Sequence, residues 1–213
     1  MTNSARWATS PTVPPWLLQR AASADGGLDA LALLRRACHP AVVNHSIRVL
    51  RYGLYFTERE GIELDDAMLL HSCLMHDLGA SGLAQGPERF EVQGADLAVQ
   101  LLAAHGWTSE ACQPIWTAIA LHTTPHVAER ISPLARVVRL SVMADFGADL
   151  LDSDIREMVE AELPRLDIER VLSGVVVEQA LRDERRAPEA SWPAALLAAH
   201  RSAPDPDARL AAF

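Results

Sequence analysis

The sequence predicts an all-α protein built around one helical domain. Apolar residues recur at spacings of three and four along almost the whole chain, as in Val43, Ile47, Leu50 and Leu54. The alternating pattern of a half-buried strand is hard to find over more than a few residues. At 213 residues the chain has the length of one compact domain, and its sequence contains no recognisable linker.

Proline, glycine and acidic residues mark the ends of the predicted helices. Pro40 suits the first turn of the longest helix, and Gly61 ends it. The next helix is expected to begin with the acidic pair at 65–66 and to run to Gly79 in a left-handed cap. After a short helix that starts at residue 16, helices are predicted at 29–38, 40–60, 65–79, 89–105, 109–123, 133–150, 154–163, 167–184 and 193–200.

The two ends of the chain differ in composition from the predicted helical body. Residues 1–13 are polar and contain proline, so we expect a flexible N-terminal arm. Residues 14–200 are expected to form the helical domain. Residues 201–213, with two prolines among charged residues, are expected to form a C-terminal tail.

Charge and cysteine usage narrow the class of protein. Arginine supplies all 19 basic residues against 28 acidic ones, and the net charge of −9 argues against nucleic-acid binding. The three cysteines, Cys38, Cys73 and Cys112, lie in apolar stretches and are expected to be buried thiols. No window approaches 18 apolar residues. We therefore expect a soluble, cytoplasmic protein with a small-molecule substrate and no membrane partner. Whether it forms a homo-oligomer is left open by the sequence.

Four polar residues on otherwise apolar predicted helices point to a metal site: His45, His76, Asp77 and Asp145. A single histidine on such a face is usually a hydrogen-bonded core residue, but four such groups together favour a shared ligand. Adjacent helical residues point about 100° apart, so His76 and Asp77 can hold one ion only at a helix end. Two imidazoles and two carboxylates suit Zn, Fe, Mn, Co or Ni and leave positions for water.

The sequence around these residues resembles a known family. The strings are NHSIRV at 44–49, HDLG at 76–79, RFEVQGADLA at 89–98, AIALHTTP at 118–125 and LARVVRLSVMADFGAD at 134–149. The order His, His-Asp, Asp resembles the HD-domain superfamily of metal-dependent hydrolases. Together the strings resemble its cyanamide hydratase branch, whose members add water to a nitrile to make urea.

This resemblance implies a single-domain HD-type helical bundle with a metal site within about residues 40–150. It implies His45, His76, Asp77 and Asp145 as ligands of one divalent transition metal ion. Zinc is the ion we expect, while Fe, Mn, Co or Ni would also suit the ligands.

The residues themselves are consistent with a hydration mechanism. A divalent ion lowers the pKa of bound water toward about 7, and the resulting hydroxide would attack an electrophilic carbon or phosphorus. A proton carrier is then needed, for which His122 and Glu91 are the candidates. Either residue also has a purely structural interpretation. Arg48, one turn after His45, would contact a substrate anion or pair with a nearby acid.

Three functions therefore remain after the sequence alone. The first is a hydro-lyase that hydrates a small nitrile such as cyanamide. The second is an HD-type phosphohydrolase acting on a nucleotide or phosphomonoester, although phosphate binding favours several cations and only four arginines lie between Asp77 and Asp145. The third is a catalytically silent binding module with the same fold.

Overall fold

The computed structural model describes residues 12–202, and within this range every regular element is a helix. The helices are α1 (Pro15–Ser23), α2 (Gly27–Ala37), α3 (Pro40–Glu60), α4 (Asp66–Met75), α5 (Phe90–Ala104), α6 (Ser109–Leu121), α7 (Ala128–Ile131), α8 (Pro133–Asp145), α9 (Ser153–Glu162), α10 (Ile168–Arg182) and α11 (Trp192–Ser202). Short 3-10 helices cover Leu78–Ala80 and Glu184–Arg186. The predicted all-α class is confirmed. The expected arm at 1–13 and tail at 201–213 fall almost entirely outside the described residues.

Helix α3 is the central element of the fold. It packs against α4, α8 and α10, and most of its residues are buried, including Ile47 and Leu50. Pro40 occupies its first turn, and Gly61 ends it with a positive φ of 62°, as the sequence predicts. Helices α5 and α6 form a second packed pair that contacts α4. The ends of α4 and α8 thereby lie against the N-terminal half of α3, and the end of α6 reaches the end of α4.

Helix α4 ends earlier than predicted, and Gly79 is not its cap. The last helical residue is Met75, and Gly79 lies in the following 3-10 helix without a positive φ. A Cβ atom on Gly79 would overlap the carbonyl oxygen of Phe90, and the backbone of Gly94 is close to the same point. Gly79 is therefore needed for the close approach of two backbones, which brings the first turn of α5 against the end of α4.

Two further differences concern the segments near α8. Helix α7 was not predicted, because four residues are too few to show a helical period. Helix α8 ends at Asp145 rather than at residue 150, and the positive φ of Gly147 follows directly. Between residues 12 and 202, no helix is both long and apolar enough to cross a bilayer.

Candidate metal centre

Three buried side chains from two helices converge on one point. His45 comes from the second turn of α3, while His76 and Asp77 directly follow α4. The backbone leaves helical geometry at Asp77, where φ is −101° and ψ is 11°, so the two adjacent side chains reach the same point. His45 Nε2 lies 3.0 Å from His76 Nε2, and Asp77 Oδ2 lies 3.3 Å and 3.2 Å from these two atoms.

The hydrogen-bond partners of the rings fix where their protons lie. His76 Nδ1 donates to the carbonyl oxygen of Cys73 at 2.8 Å, and His45 Nδ1 donates to the carboxylate of Asp145 at 2.6 Å. Because these partners accept and do not donate, each Nδ1 carries the hydrogen of the neutral ring. Each Nε2 is then left with a lone pair. Two lone pairs therefore face each other beside the Asp77 carboxylate.

Asp77 adds two more acceptor atoms at this point. Both of its carboxylate oxygens are buried, and in the described part of the chain neither accepts a hydrogen bond. Buried acceptors without donors cost free energy, so the arrangement requires a cation, either a proton or a metal ion. Metal bonds to nitrogen and oxygen of about 2.0–2.2 Å separate neighbouring ligand atoms by roughly 3.0–3.5 Å. The observed separations of 3.0–3.3 Å lie in this range, so the residues fit a divalent ion.

The electrostatics of the centre agree with that requirement. Burial alone would raise the pKa of Asp77, but His76, His122 and His45 hold it well below its usual value. Burial lowers the pKa of His76. Burial also opposes charge on His45, yet the nearby carboxylates of Asp145 and Asp77 raise its pKa overall. The centre therefore favours one positive charge next to an ionised Asp77.

Asp145, the fourth ligand expected from the sequence, lies behind His45. Its Oδ2 accepts from Nδ1 of the ring, on the side away from His76 and Asp77. Arg48 binds the same carboxylate with two nitrogens, through Nε to Oδ1 at 2.6 Å and through Nη2 to Oδ2 at 2.7 Å. Burial would raise the pKa of Asp145, but the bonds from Arg48 and His45 hold it well below its usual value. The structure thus brings together three of the four predicted ligands and pairs the fourth with a guanidinium.

Arg48 was expected to contact substrate, and the structure shows it occupied elsewhere. The side chain is fully buried. In addition to its two bonds to Asp145, Nη1 donates to the carbonyl oxygens of Leu163 at 3.0 Å and Pro164 at 3.2 Å. All three guanidinium nitrogens are committed to the protein. The contacts of Arg48 with Asp145 agree with the other interpretation from the sequence, in which Arg48 pairs with a nearby acid.

Of the two candidate proton carriers, His122 lies beside the centre and Glu91 is buried next to Thr123, the residue that follows His122. His122 follows the last residue of α6, donates from Nδ1 to the carbonyl oxygen of Ile119, and has Nε2 3.5 Å from Asp77 Oδ1. Glu91, in the first turn of α5, is fully buried and accepts a hydrogen bond from the hydroxyl of Thr123. Its other oxygen, Oε2, is buried without a hydrogen-bond partner among residues 12–202.

Sequence reasoning missed the backbone acceptors that orient the two histidines. The carbonyls of Cys73 and Ile119 each lie three residues before the histidine that they bind. Both histidines come directly after a helix, where the last carbonyls have no partner within the helix. A histidine at the position after a predicted helix is the signal that would have found them.

The segment from α3 to α8 corresponds to a known domain. Residues 42–141 match the HD domain. This match agrees with the all-α fold and with the buried cluster of His45, His76 and Asp77. The match contains these three residues, His122 and Glu91, whereas Asp145 follows it. A comparison with curated proteins found no match.

Proposed function

We propose that the protein is a metal-dependent hydratase or hydrolase of a small neutral molecule, with the hydration of a nitrile such as cyanamide as its reaction. The observation that carries the proposal is the buried meeting of two Nε2 lone pairs with the unsatisfied carboxylate of Asp77. Such a group has no structural use without a cation.

His45, His76 and Asp77 would hold one divalent ion through Nε2, Nε2 and Oδ2. The mixed nitrogen and oxygen donors suit zinc, which we propose, and also Fe, Mn, Co or Ni. When bound, the ion supplies Lewis acidity and lowers the pKa of a coordinated water. The Nδ1 bonds to Asp145 and to the Cys73 carbonyl keep the two rings turned for this role.

His122 and Glu91 would move the proton that hydration requires. Adding water to a nitrile forms a carbon–oxygen bond and breaks one π bond of the carbon–nitrogen triple bond, while one proton leaves the water and one proton reaches the nitrile nitrogen. The Nε2 lone pair of His122, 3.5 Å from Asp77 Oδ1, is able to take that proton. Oε2 of Glu91, which accepts no hydrogen bond and lies 3.9 Å from Arg89 Nε, offers a second acceptor. With cyanamide, this step gives isourea, which becomes urea when its hydroxyl proton moves to the imino nitrogen.

The neighbouring arginines are bonded to other groups of the protein, which supports a neutral substrate. Arg48 is bound to Asp145, Arg89 donates to the carbonyl oxygen of Ala120, and Arg139 donates to the carbonyl oxygen of His122. Phosphoryl transfer depends on cations that meet the phosphate oxygens. A nitrile needs only the ion, a proton carrier and close walls, and the burial of the whole centre suits a molecule of that size.

Urea formation from cyanamide, together with amide formation from a panel of small nitriles, tests this proposal. The wild type is compared with Asp77→Asn and with Asp96→Asn, which makes the same chemical change on an exposed residue of α5. We expect turnover by the wild type and Asp96→Asn, and loss of turnover in Asp77→Asn. Hydrolysis of phosphomonoesters or nucleotides without nitrile turnover would contradict the proposal in favour of the phosphohydrolase. Metal binding without either activity would favour the silent binding module.

A further inference from the structure

Glu91 carries a buried carboxylate of which the protein satisfies only one oxygen. The side chain is fully buried in the first turn of α5. Oε1 accepts a hydrogen bond from the hydroxyl of Thr123, which is buried as well. Oε2 accepts no hydrogen bond among residues 12–202. Because a buried acceptor without a donor is unfavourable, Oε2 would be stabilised by a donor that a ligand supplies.

What Oε2 lacks is a hydrogen-bond donor rather than a positive charge. Arg89 Nε lies 3.9 Å away, which is close enough for electrostatic attraction but too far for a hydrogen bond. Nη2 of the same guanidinium donates to the carbonyl oxygen of Ala120. Glu91 does not belong to the cluster of three residues that could hold the metal ion. The carboxylate therefore suits a neutral N–H or O–H group, and its charge would repel an anion.

The surroundings of Glu91 connect it to the metal centre. Thr123 directly follows His122, whose Nε2 lies 3.5 Å from Asp77 Oδ1. The ring of Phe90, the residue before Glu91, contacts the ring of His122 with a centroid distance of 5.7 Å. Two consecutive residues thus contact Asp77 and Glu91 in turn, which favours a place for the Glu91 carboxylate in the wall of the substrate site.

We propose that Glu91 Oε2 recognises an N–H group of the substrate and that Thr123 positions the carboxylate for this contact. The inference rests on the proposed function and narrows its substrate class. Cyanamide carries an amino group directly on the nitrile carbon, and this group would give Oε2 the hydrogen bond that the protein does not supply. His122 then serves as the proton carrier, while Glu91 selects nitriles with an N–H group over alkyl nitriles of the same size.

Thr123 positions the carboxylate through its hydroxyl. Because this hydroxyl donates to Oε1, the carboxylate is held in one orientation and Oε2 is the oxygen left for a ligand. The backbone around Thr123 is fixed by Arg89, which binds the carbonyl of Ala120, and by Arg139, which binds the carbonyl of His122. Serine would donate the same hydrogen bond, whereas valine has the shape of threonine without the hydroxyl.

Cyanamide and acetonitrile provide the test, because they are similar in size and differ by an amino group against a methyl group. The measured quantity is the ratio of kcat/KM for cyanamide to kcat/KM for acetonitrile, followed by the formation of urea and acetamide. A role of Glu91 in proton transfer alone would lower both values by the same factor, so a change in the ratio reports recognition of the amino group. Comparing the ratio between variants also cancels the different intrinsic reactivities of the two nitriles.

Two positions are substituted, each with a matched control. Glu91→Met removes the carboxylate and keeps an unbranched side chain. Its control is Glu110→Met, because Glu110 is exposed and is the second residue of α6, as Glu91 is of α5. Thr123→Val removes the positioning hydroxyl, and Thr123→Ser retains it. Thr124→Val is the control for Thr123→Val at the next residue.

We expect the ratio to fall by roughly 10- to 100-fold in Glu91→Met, as for the loss of a hydrogen bond to a charged acceptor. Thr123→Val should lower the ratio by about three- to tenfold, Thr123→Ser should restore it, and both controls should stay within about twofold of the wild type. A wild-type ratio in Glu91→Met would overturn the proposal, as would an equal fall in Glu110→Met. A wild-type ratio in Thr123→Val overturns the positioning role, and it overturns the whole proposal if Glu91→Met does not fold.

These outcomes are separate from a failure of the proposed function. Hydration of both nitriles with a ratio that does not depend on Glu91 contradicts only the recognition of the N–H group. A wild type that hydrates neither nitrile contradicts the proposed function. In that case, and where only cyanamide is hydrated, binding decides on Glu91. Urea and acetone share a planar shape, but only urea carries N–H groups, and their affinities for the purified protein are measured by titration of its amide resonances. Tighter binding of urea that is lost in Glu91→Met supports the proposal, whereas equal affinities, or no binding of either molecule, overturn it.

Discussion

The two sides of the His45 ring differ in how completely their polar atoms are hydrogen-bonded. On the Nδ1 side, Asp145 is bound by the ring and by the fork of Arg48, and every polar atom described there has a partner. On the Nε2 side, His45 Nε2, His76 Nε2 and the Asp77 carboxylate lie together, and no single hydrogen can bond to all three groups. Both oxygens of Asp77 lack a hydrogen bond within residues 12–202. Both sides are equally buried.

This difference suggests separate roles: the Nδ1 side holds the His45 ring in place, and the Nε2 side would bind the ion. A satisfied buried ion pair contributes to one fixed arrangement, and removing either partner leaves an uncompensated charge. A buried group of acceptors without a donor is unfavourable until something positive binds there. Substitutions on the Nδ1 side should therefore mainly change the stability of the fold. Substitutions on the Nε2 side should mainly change metal binding.

Asp145→Ala should have the largest effect on stability. It removes the partner of a fully buried Arg48 and of His45 Nδ1, and we expect a loss of about 3–5 kcal/mol in the free energy of unfolding. Urea denaturation in the presence of a chelator measures it, with Asp96→Ala as the exposed control. A loss below about 1 kcal/mol would show that the Nδ1 side is not the supporting side.

Asp77→Ala makes the same chemical change on the other side of the ring, and its effect on stability should be far smaller. Asp77 accepts no hydrogen bond in the described structure and Asp145 binds both Arg48 and His45, so the metal-free Asp77→Ala variant should lose less stability than Asp145→Ala. The denaturation experiment used for Asp145→Ala gives the value. Equal losses in the two variants would remove the distinction between the two sides.

The acid limb of the stability curve should carry the signature of Asp145. Arg48 and His45 hold its pKa below the ordinary value of 3.8, so the stabilisation is fully present above that pH and is lost as the pH falls further. Asp145→Asn should flatten this part of the curve of unfolding free energy against pH. An acid limb as steep as that of the wild type would mean that the Asp145 pair does not contribute to it.

Thiol reactivity tests whether the region around His76 and Asp77 is closed to solvent, and here we expect almost no labelling of the native protein. Burial, together with the charge of Asp77, raises the pKa of Cys38 to about 12, and burial also raises the pKa of Cys73. A thiol reagent at neutral pH should leave both unmodified in the native protein and label them after denaturation. Rapid labelling of native Cys73 would show that the region behind His76 opens readily.

Local signals were enough to predict most of the fold and the three converging residues. Pro40 and Gly61 mark the two ends of α3 in the sequence, and the adjacent pair His76 and Asp77 required a helix end that the structure provides. Gly79 could not be interpreted correctly, because its role depends on the backbone of Phe90, which comes from a different helix.

The Nδ1 side could not be predicted for a related reason. Arg48 and Asp145 are separated by 97 residues, and their pairing follows from the packing of α8 on α3 rather than from any local pattern. In sequence terms Asp145 is equally suited to be a ligand or a partner of an arginine. In the structure its carboxylate lies against His45 Nδ1 and Arg48, a contact that only the distances between atoms reveal.

The metal content of the purified protein tests the central claim most directly. After expression with added zinc and removal of loosely bound ions, elemental analysis is compared between the wild type, His76→Ala and the exposed control His126→Ala. We predict about one divalent ion per chain in the wild type and in His126→Ala, and less than about a tenth of that in His76→Ala. Equal metal content in all three proteins, or none in the wild type, would contradict the account.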